Sequence, residues 1–230
     1  MFIGFDPTYL WCVFIPTLII SIGVQVYLKS TFSKWSKVRN HVNMNGMQVG
    51  QSLYNRTTLD PVPLEPTRGS LTDHFDPGNN VVRLSEPVAT QPSVASMAVC
   101  AHELGHVQQY QTGSALISMR GFLLPALRFS PTLSYIAILA GLWFSHTGLI
   151  WLGIIFFAVM VLFSILTLPV EIDASRRGLK LLREANLLQD EQDAKGARNM
   201  LTAAGLTYLA AAVTSILQLL YYISLAQRRS

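Results

Sequence analysis

The chain has 230 residues, of which 50% are hydrophobic and only 13% are charged, with a formal net charge of +4. Its mean hydropathy of +0.36 is too apolar for an ordinary soluble domain and indicates an integral membrane protein. The basic residues adjoin apolar runs and form no nucleic-acid-binding motif, so we expect them to contact lipid headgroups and expect no nucleic acid partner.

The first apolar run covers residues 8–28 and is long enough to cross a bilayer, which takes about 20 residues. Basic residues follow it directly at Lys29, Lys34, Lys37 and Arg39. Positive charge favours the cytoplasmic side of a span. We therefore predict that residues 30–120, which are polar enough for a small domain, form a cytoplasmic region.

Short elements are predicted in the first part of this region. A helix is expected at 46–55, whereas the prolines between 61 and 66 argue against a helix there. Segments 69–75 and 81–85 are predicted to be strands joined by a turn at 76–80. The free edge of this hairpin could pair with an extended peptide substrate, and a purely structural hairpin fits these residues equally well.

The stretch Ala-His-Glu-Leu-Gly-His at 101–106 lies in a helix predicted over 92–112. On a helix, His102 and His106 stand one turn apart on one face, so both rings can bind one metal ion. Glu103 can hold and deprotonate a metal-bound water, as in a zinc peptidase. Small and apolar residues are expected to bury this helix: Ala95, Met97, Ala98, Val99, Ala101, Leu104 and Val107.

Three further spans are predicted in the second half of the chain, at 122–145, 149–168 and 201–225. The start of the first of these is not defined by its sequence, and a kink is expected near Pro131. The connection between the first two spans is short and lacks Lys and Arg, so we place it outside. Residues 169–199 are then a second cytoplasmic segment.

A catalytic zinc takes three protein ligands, and Glu171 is the predicted third. The chain crosses the membrane twice between His106 and Glu171, so both residues return to the same side. The alternative is an interfacial carboxylate that pairs with Arg176 or Arg177. On a helix, Asp173 would point away from the metal.

Positions three and four residues beyond Glu171 share its helical face. They are Ala174 and Ser175, whose small size would let this helix approach the motif helix. Two residues are candidates for stabilising the oxyanion, His74 and Tyr110, with a turn residue and a surface aromatic as the plainer interpretations. The remaining histidines, His41 and His146, are interpreted as a solvated linker residue and a residue on the opposite side of the membrane.

The order of these motifs resembles the YugP-type family of bacterial membrane zinc metallopeptidases. The resemblance covers nearly the whole chain: the first span, Phe75-Asp76-Pro77, Val82-Arg83-Leu84-Ser85, the motif at 101–106 and the segment at 169–177. It implies a membrane-embedded neutral zinc peptidase. The site is also similar to that of HtpX-type membrane peptidases, in which the Glu of E-x-x-A-D is the third ligand. This chain has Ser175 in place of that Asp, which leaves open the group that orients the histidines.

The predicted fold is α+β and mostly α-helical, with about four transmembrane helices and a small zinc-peptidase domain that holds the motif helix and a short β-hairpin or sheet. The predicted function is that of a metalloendopeptidase, a multi-pass protein of the inner (plasma) membrane with its active site on the cytoplasmic side. One Zn²⁺ per chain is expected on a gluzincin-like ligand set. Glu103 would be the general base that acts through a zinc-activated water.

Two alternative functions remain at this point. One is an intramembrane, site-2-like zinc protease, which the glutamines after His106 disfavour. The other is a non-catalytic membrane scaffold with structural zinc, which Glu103 disfavours because metal binding alone does not require it. The expected partners are a protein or peptide substrate, the lipid bilayer, and a membrane-protein assembly partner or a second copy of the chain.

Overall fold

The first predicted span is helical in the computed structural model, which describes residues 6–229. Helix α1 runs Pro7–Ser36 and contains a π-helical turn at Leu10–Phe14. Asp6 caps its start, because its side chain accepts a hydrogen bond from the backbone N–H of Thr8 at 2.9 Å. The helix therefore continues beyond residue 28 into the basic segment.

Two helices in the second half of the chain are longer than the spans predicted there. Within residues 6–229, α7 (Thr147–Glu184) and α8 (Glu191–Gln227) join α1 as helices long and apolar enough to cross a membrane. Pro169 lies inside α7 without ending it, so the predicted boundary at 168 falls in a continuous helix. The polar residues before position 201 likewise form the first turns of α8.

The predicted span at 122–145 is a bent pair of helices. Helix α5 runs Ala115–Leu127 and α6 runs Ser130–Trp143, with a bend of 49° between them. The break falls where Pro125 lies in the last turns of α5 and Pro131 begins α6, because proline cannot donate the backbone hydrogen bond that would continue a helix. Among the described residues, the number of helical spans is three, or four if the bent pair forms one.

The described residues form two compact units. One contains 6–25, 118–169 and 207–229, and the other contains 26–117 and 170–206. In the first unit, Tyr221 donates a hydrogen bond to Asp6 at 3.0 Å, and α6 and α7 pack closely at Gly141 and Gly153. The elements of the second unit, besides parts of α1, α7 and α8, are α2 (Gly46–Arg56), β1 (Leu64–Thr67), β2 (His74–Asp76), β3 (Val81–Ser85), α3 (Glu86–Thr90) and α4 (Val94–Gln111).

A three-stranded sheet in the order β1-β3-β2 lies in the second unit. The predicted hairpin is present as the antiparallel pair β2 and β3, although β2 begins at His74 rather than at 69. Strand β1 was not predicted, since it forms in the proline-rich segment and pairs parallel with β3. An edge strand tolerates Pro66 because only one side of it has to supply hydrogen bonds.

Helix α4 occupies the centre of the core of this unit. All the residues predicted to bury it are buried, and they pack with residues of α2, β3 and the last turns of α7. A helix covered on most sides holds its polar motif residues in fixed positions.

Candidate metal centre

The ends of α4 are set by local signals. The Ser93 side chain accepts a hydrogen bond from the backbone N–H of Ser96 at 3.0 Å and caps the first turn, so Pro92 lies just before the helix. At the other end, Gly113 has a φ of +61°, a left-handed conformation that glycine adopts without strain. The helix between them is continuous and carries His102 and His106 on neighbouring turns.

Helix α7 approaches α4 through backbone contacts at two glycines. A Cβ added to Gly105 would collide with the carbonyl oxygen of Ala174, and one added to Gly178 would lie 2.5 Å from the carbonyl oxygen of Ala101. The residues of each helix are four apart, so the two contacts lie one turn from each other. Small residues allow such a close approach, as expected for Ala174.

The three predicted metal ligands converge where these helices meet. Glu171 Oε2 lies 3.3 Å from His102 Nε2 and 3.4 Å from His106 Nε2, and the ligand atoms of all three residues lie within 4.8 Å of one another. Zinc bonds of 2.0–2.2 Å at a tetrahedral angle place two ligand atoms about 3.3 Å apart. The two distances to Glu171 are therefore those expected between ligands of a tetrahedral zinc ion.

The alternative interpretation of Glu171 is an ion pair with Arg176 or Arg177, and Arg177 pairs with another carboxylate. Glu171 is 4% exposed and faces the two histidines. Arg177 instead places its Nε 2.7 Å from Asp173 Oδ2, four residues away on the same helix. Asp173, not Glu171, is thus the carboxylate that pairs with this arginine.

Glu103 is buried next to the histidines, with 7% of its surface exposed. Burial raises the pKa of its carboxyl group above the usual range, against the opposite effect of His102 and His106, and the charge of Asp73 raises it further. A higher pKa makes a carboxylate a better acceptor for the proton of water. Asp73 itself is held by Ser85, which donates to it from the backbone N–H at 2.7 Å and from the hydroxyl at 2.8 Å.

Comparison with known proteins points to one family. A family profile described as "Putative neutral zinc metallopeptidase" matches residues 10–227. The chain is also 36% identical over 209 residues to "Putative membrane protease YugP" of Bacillus subtilis (strain 168), a match that covers 91% of this chain and 92% of that relative. The chain belongs to this zinc metallopeptidase family. No solved structure gives a significant match to it.

Membership confirms the YugP-type resemblance of the sequence motifs. It supports zinc as the metal and a membrane protease as the class of protein. The apolar helices α1, α7 and α8 agree with a membrane location. The roles of the individual residues in the centre stay predictions.

The candidates for oxyanion stabilisation make other contacts in the structure. His74 is exposed, and its Nδ1 lies 2.9 Å from the carbonyl oxygen of Thr72. Tyr110 lies one turn beyond His106 on α4 and packs edge-on against Phe75 of β2, with ring centroids 5.8 Å apart. Neither contact tests the predicted role.

The other histidines lie in segments away from the motif in sequence. The backbone N–H of His41 donates to Asp193 at 2.8 Å, which joins the segment after α1 to the first turn of α8. His146 is exposed in the connection between α6 and α7. These contacts do not test the interpretation of His41 as a solvated linker residue or of His146 as a residue on the opposite side of the membrane.

Two residues that contact the histidines were not assigned this role from the sequence. Ser175 Oγ lies 3.1 Å from His102 Nδ1, and Gln109 Oε1 lies 3.0 Å from His106 Nδ1. Ser175 occupies the position of the Asp in the E-x-x-A-D pattern, which was a signal for its place. Gln109 is three residues after His106, and only the packing of α4 shows that its side chain points inward.

Replacement of Gly105 by alanine is expected to loosen the centre. The added Cβ would meet the backbone of Ala174, which cannot rotate away, so the helices must separate. Overpacking of this kind costs roughly 1–3 kcal/mol of stability. We expect a lower midpoint of thermal unfolding in detergent and less bound zinc per chain in Gly105→Ala than in wild type.

Gly205→Ala is the matched control, because a Cβ at Gly205 in α8 would meet no atom within 4 Å. Alanine is favoured over glycine inside a helix by up to about 1 kcal/mol, so this variant should be as stable as wild type or slightly more stable. Equal unfolding midpoints and zinc contents in Gly105→Ala and Gly205→Ala would contradict the close contact.

Proposed function

We propose that the protein is a membrane-embedded zinc endopeptidase in which His102, His106 and Glu171 bind the metal and Glu103 is the general base. The observation that carries the proposal is the convergence of three potential ligand atoms within 4.8 Å of one another beside a buried carboxylate. A structural zinc site requires only the ligands, whereas a hydrolase also requires a base next to them.

The chemistry proposed for these residues is hydrolysis of a peptide bond. A bound zinc ion would supply a Lewis acid that polarises the scissile carbonyl group and acidifies the attacking water. Glu103 would accept a proton from that water as its oxygen bonds to the carbonyl carbon. The same carboxyl group would then donate the proton to the amide nitrogen as the C–N bond breaks, so that a carboxylic acid and an amine are released.

The edge strand β2 is the proposed binding surface for the substrate. Within the described residues its one partner in the sheet is β3, and its other edge can pair with an extended peptide. The contact between Phe75 of β2 and Tyr110 places this strand beside α4, one turn from His106. A peptide added there would run past the metal ligands.

The orientation in the membrane is also part of the proposal. The basic cluster after the first apolar run supports a cytoplasmic position for residues 30–120 and 169–199, and hence a cytoplasmic active site in a plasma membrane. An intramembrane protease would instead require a transmembrane segment as its substrate.

Removal of zinc is expected to stop proteolysis reversibly. We expect detergent-purified protein to contain one zinc ion per chain and to cleave an unfolded soluble protein. A chelator should abolish this cleavage by stripping the metal, and added zinc should restore it. The measurement is zinc content by elemental analysis alongside cleavage products by mass spectrometry.

Cleavage by metal-free protein would overturn the proposal. Zinc-loaded protein that cleaves neither an unfolded soluble protein nor a transmembrane peptide would also overturn it. Cleavage of a transmembrane peptide in proteoliposomes, without cleavage of the unfolded soluble protein, would favour the intramembrane alternative instead.

A further inference from the structure

Gln109 is a fully buried amide in contact with a proposed metal ligand. It lies on α4 with 0% of its surface exposed, and its Oε1 is 3.0 Å from His106 Nδ1. Its Nε2 donates to the backbone carbonyl of Val170 at 2.8 Å and to Asp173 Oδ2 at 2.7 Å. One side chain thus links His106 to the turn of α7 that carries Glu171.

The orientation of this amide follows from its partners. A backbone carbonyl oxygen can only accept hydrogen bonds, and Asp173 is held by Arg177 Nε at 2.7 Å as an acceptor. The NH₂ group of Gln109 must therefore face Val170 and Asp173, because the opposite orientation would set oxygen against oxygen twice. The amide oxygen is left facing His106.

An amide oxygen at 3.0 Å requires a proton on His106 Nδ1. A neutral imidazole with its proton on Nδ1 has a lone pair on Nε2, the atom 3.4 Å from Glu171 Oε2. His102 differs in this respect. Its Nδ1 faces the Ser175 hydroxyl, which can donate or accept, so that contact leaves the tautomer of His102 undetermined.

We propose that Gln109 is a positioning residue that fixes His106 in the Nδ1–H tautomer and ties it to the residue before Glu171, so that both ligands are oriented for the metal by one side chain. This inference rests on the proposed metal site. Partners of ligating histidines typically change metal affinity by 10–100-fold when they are removed. Gln109 has the additional effect of bridging two ligands on different helices.

Gln109→Leu tests the role because it keeps the volume of the side chain and removes all three hydrogen bonds. We expect the Kd for zinc, measured by competition with a chelator, to rise by about 10–100-fold. Gln111→Ala on the same helix is the matched control. Gln111 is exposed and bonds to the backbone of Asp60, so its variant should keep wild-type zinc affinity.

The tautomer can be measured in the wild-type protein, which removes any dependence on how the variants fold. Long-range ¹H–¹⁵N spectra of the zinc-loaded protein with labelled histidine should show His106 protonated at Nδ1 and bound to metal through Nε2. Binding through Nδ1 would overturn the inference. Wild-type protein that binds no zinc would overturn the proposed function together with it. If wild-type protein binds zinc and is active, and Gln109→Leu binds zinc with the same affinity, the positioning role alone is overturned.

Discussion

Glu103→Gln is expected to lose proteolytic activity by a factor of about 10²–10⁴, the usual contribution of a general acid–base group. Glutamine has the same shape as glutamate but cannot accept the proton of the attacking water. Because Glu103 lies beside the donor set and is not part of it, the variant should still bind one zinc ion per chain. The measurement is kcat/KM on an unfolded protein substrate, with zinc content determined on the same sample.

Glu86→Gln is the matched control for this substitution. Glu86 is exposed in the first turn of α3, and the change there should leave both activity and zinc content as in wild type. Wild-type activity in Glu103→Gln would show that another group takes the proton. Loss of zinc in Glu103→Gln would instead assign this carboxylate to metal binding.

Glu171→Ala is expected to weaken zinc binding by more than about 100-fold, beyond the usual effect of residues that only orient a ligand. The substitution removes one of the three proposed ligands, whose Oε2 lies 3.3 and 3.4 Å from the Nε2 atoms of the two histidines. Proteolysis should be lost with the metal. Chelator competition measures the Kd, and activity at saturating zinc shows whether bound metal alone restores cleavage.

Glu184→Ala provides the comparison on the same helix. Glu184 lies at the exposed end of α7, where its carboxylate is 3.6 Å from Lys180 Nζ, and exposed pairs of this kind contribute little. Undiminished zinc affinity in Glu171→Ala would remove Glu171 from the ligand set. Equal weakening in both variants would point to a general effect of charge on the helix.

Local features of the sequence predicted the parts of the centre that one helix supplies. Four-residue spacing placed His102 and His106 on one face, and the apolar positions around them are buried as expected. Glu171 required one further consideration, the number of membrane crossings between it and His106. These steps use the short-range periodicity and the length of apolar runs, both of which can be determined from consecutive residues.

Features that depend on distant contacts were not predictable in this way. Strand β1 forms because Leu64 pairs with Val82 across the sheet, although its own residues include a proline. The direction of the Gln109 side chain is set by Val170 and Asp173, more than 60 residues along the chain. Helix α7 continues through Pro169, where local propensity predicts a boundary. For β1 and Gln109 the deciding partner is remote in sequence.

The division of the donor set between α4 and α7 has a consequence for protein synthesis. His102 and His106 are translated first, and Glu171 follows only after α5, α6 and most of α7. A nascent chain that stops before residue 171 has two of the three proposed ligands and lacks Ala174 and Gly178, which contact Gly105 and Ala101 of α4. The proposed metal site thus stays incomplete on the ribosome until the second half of α7 has been made.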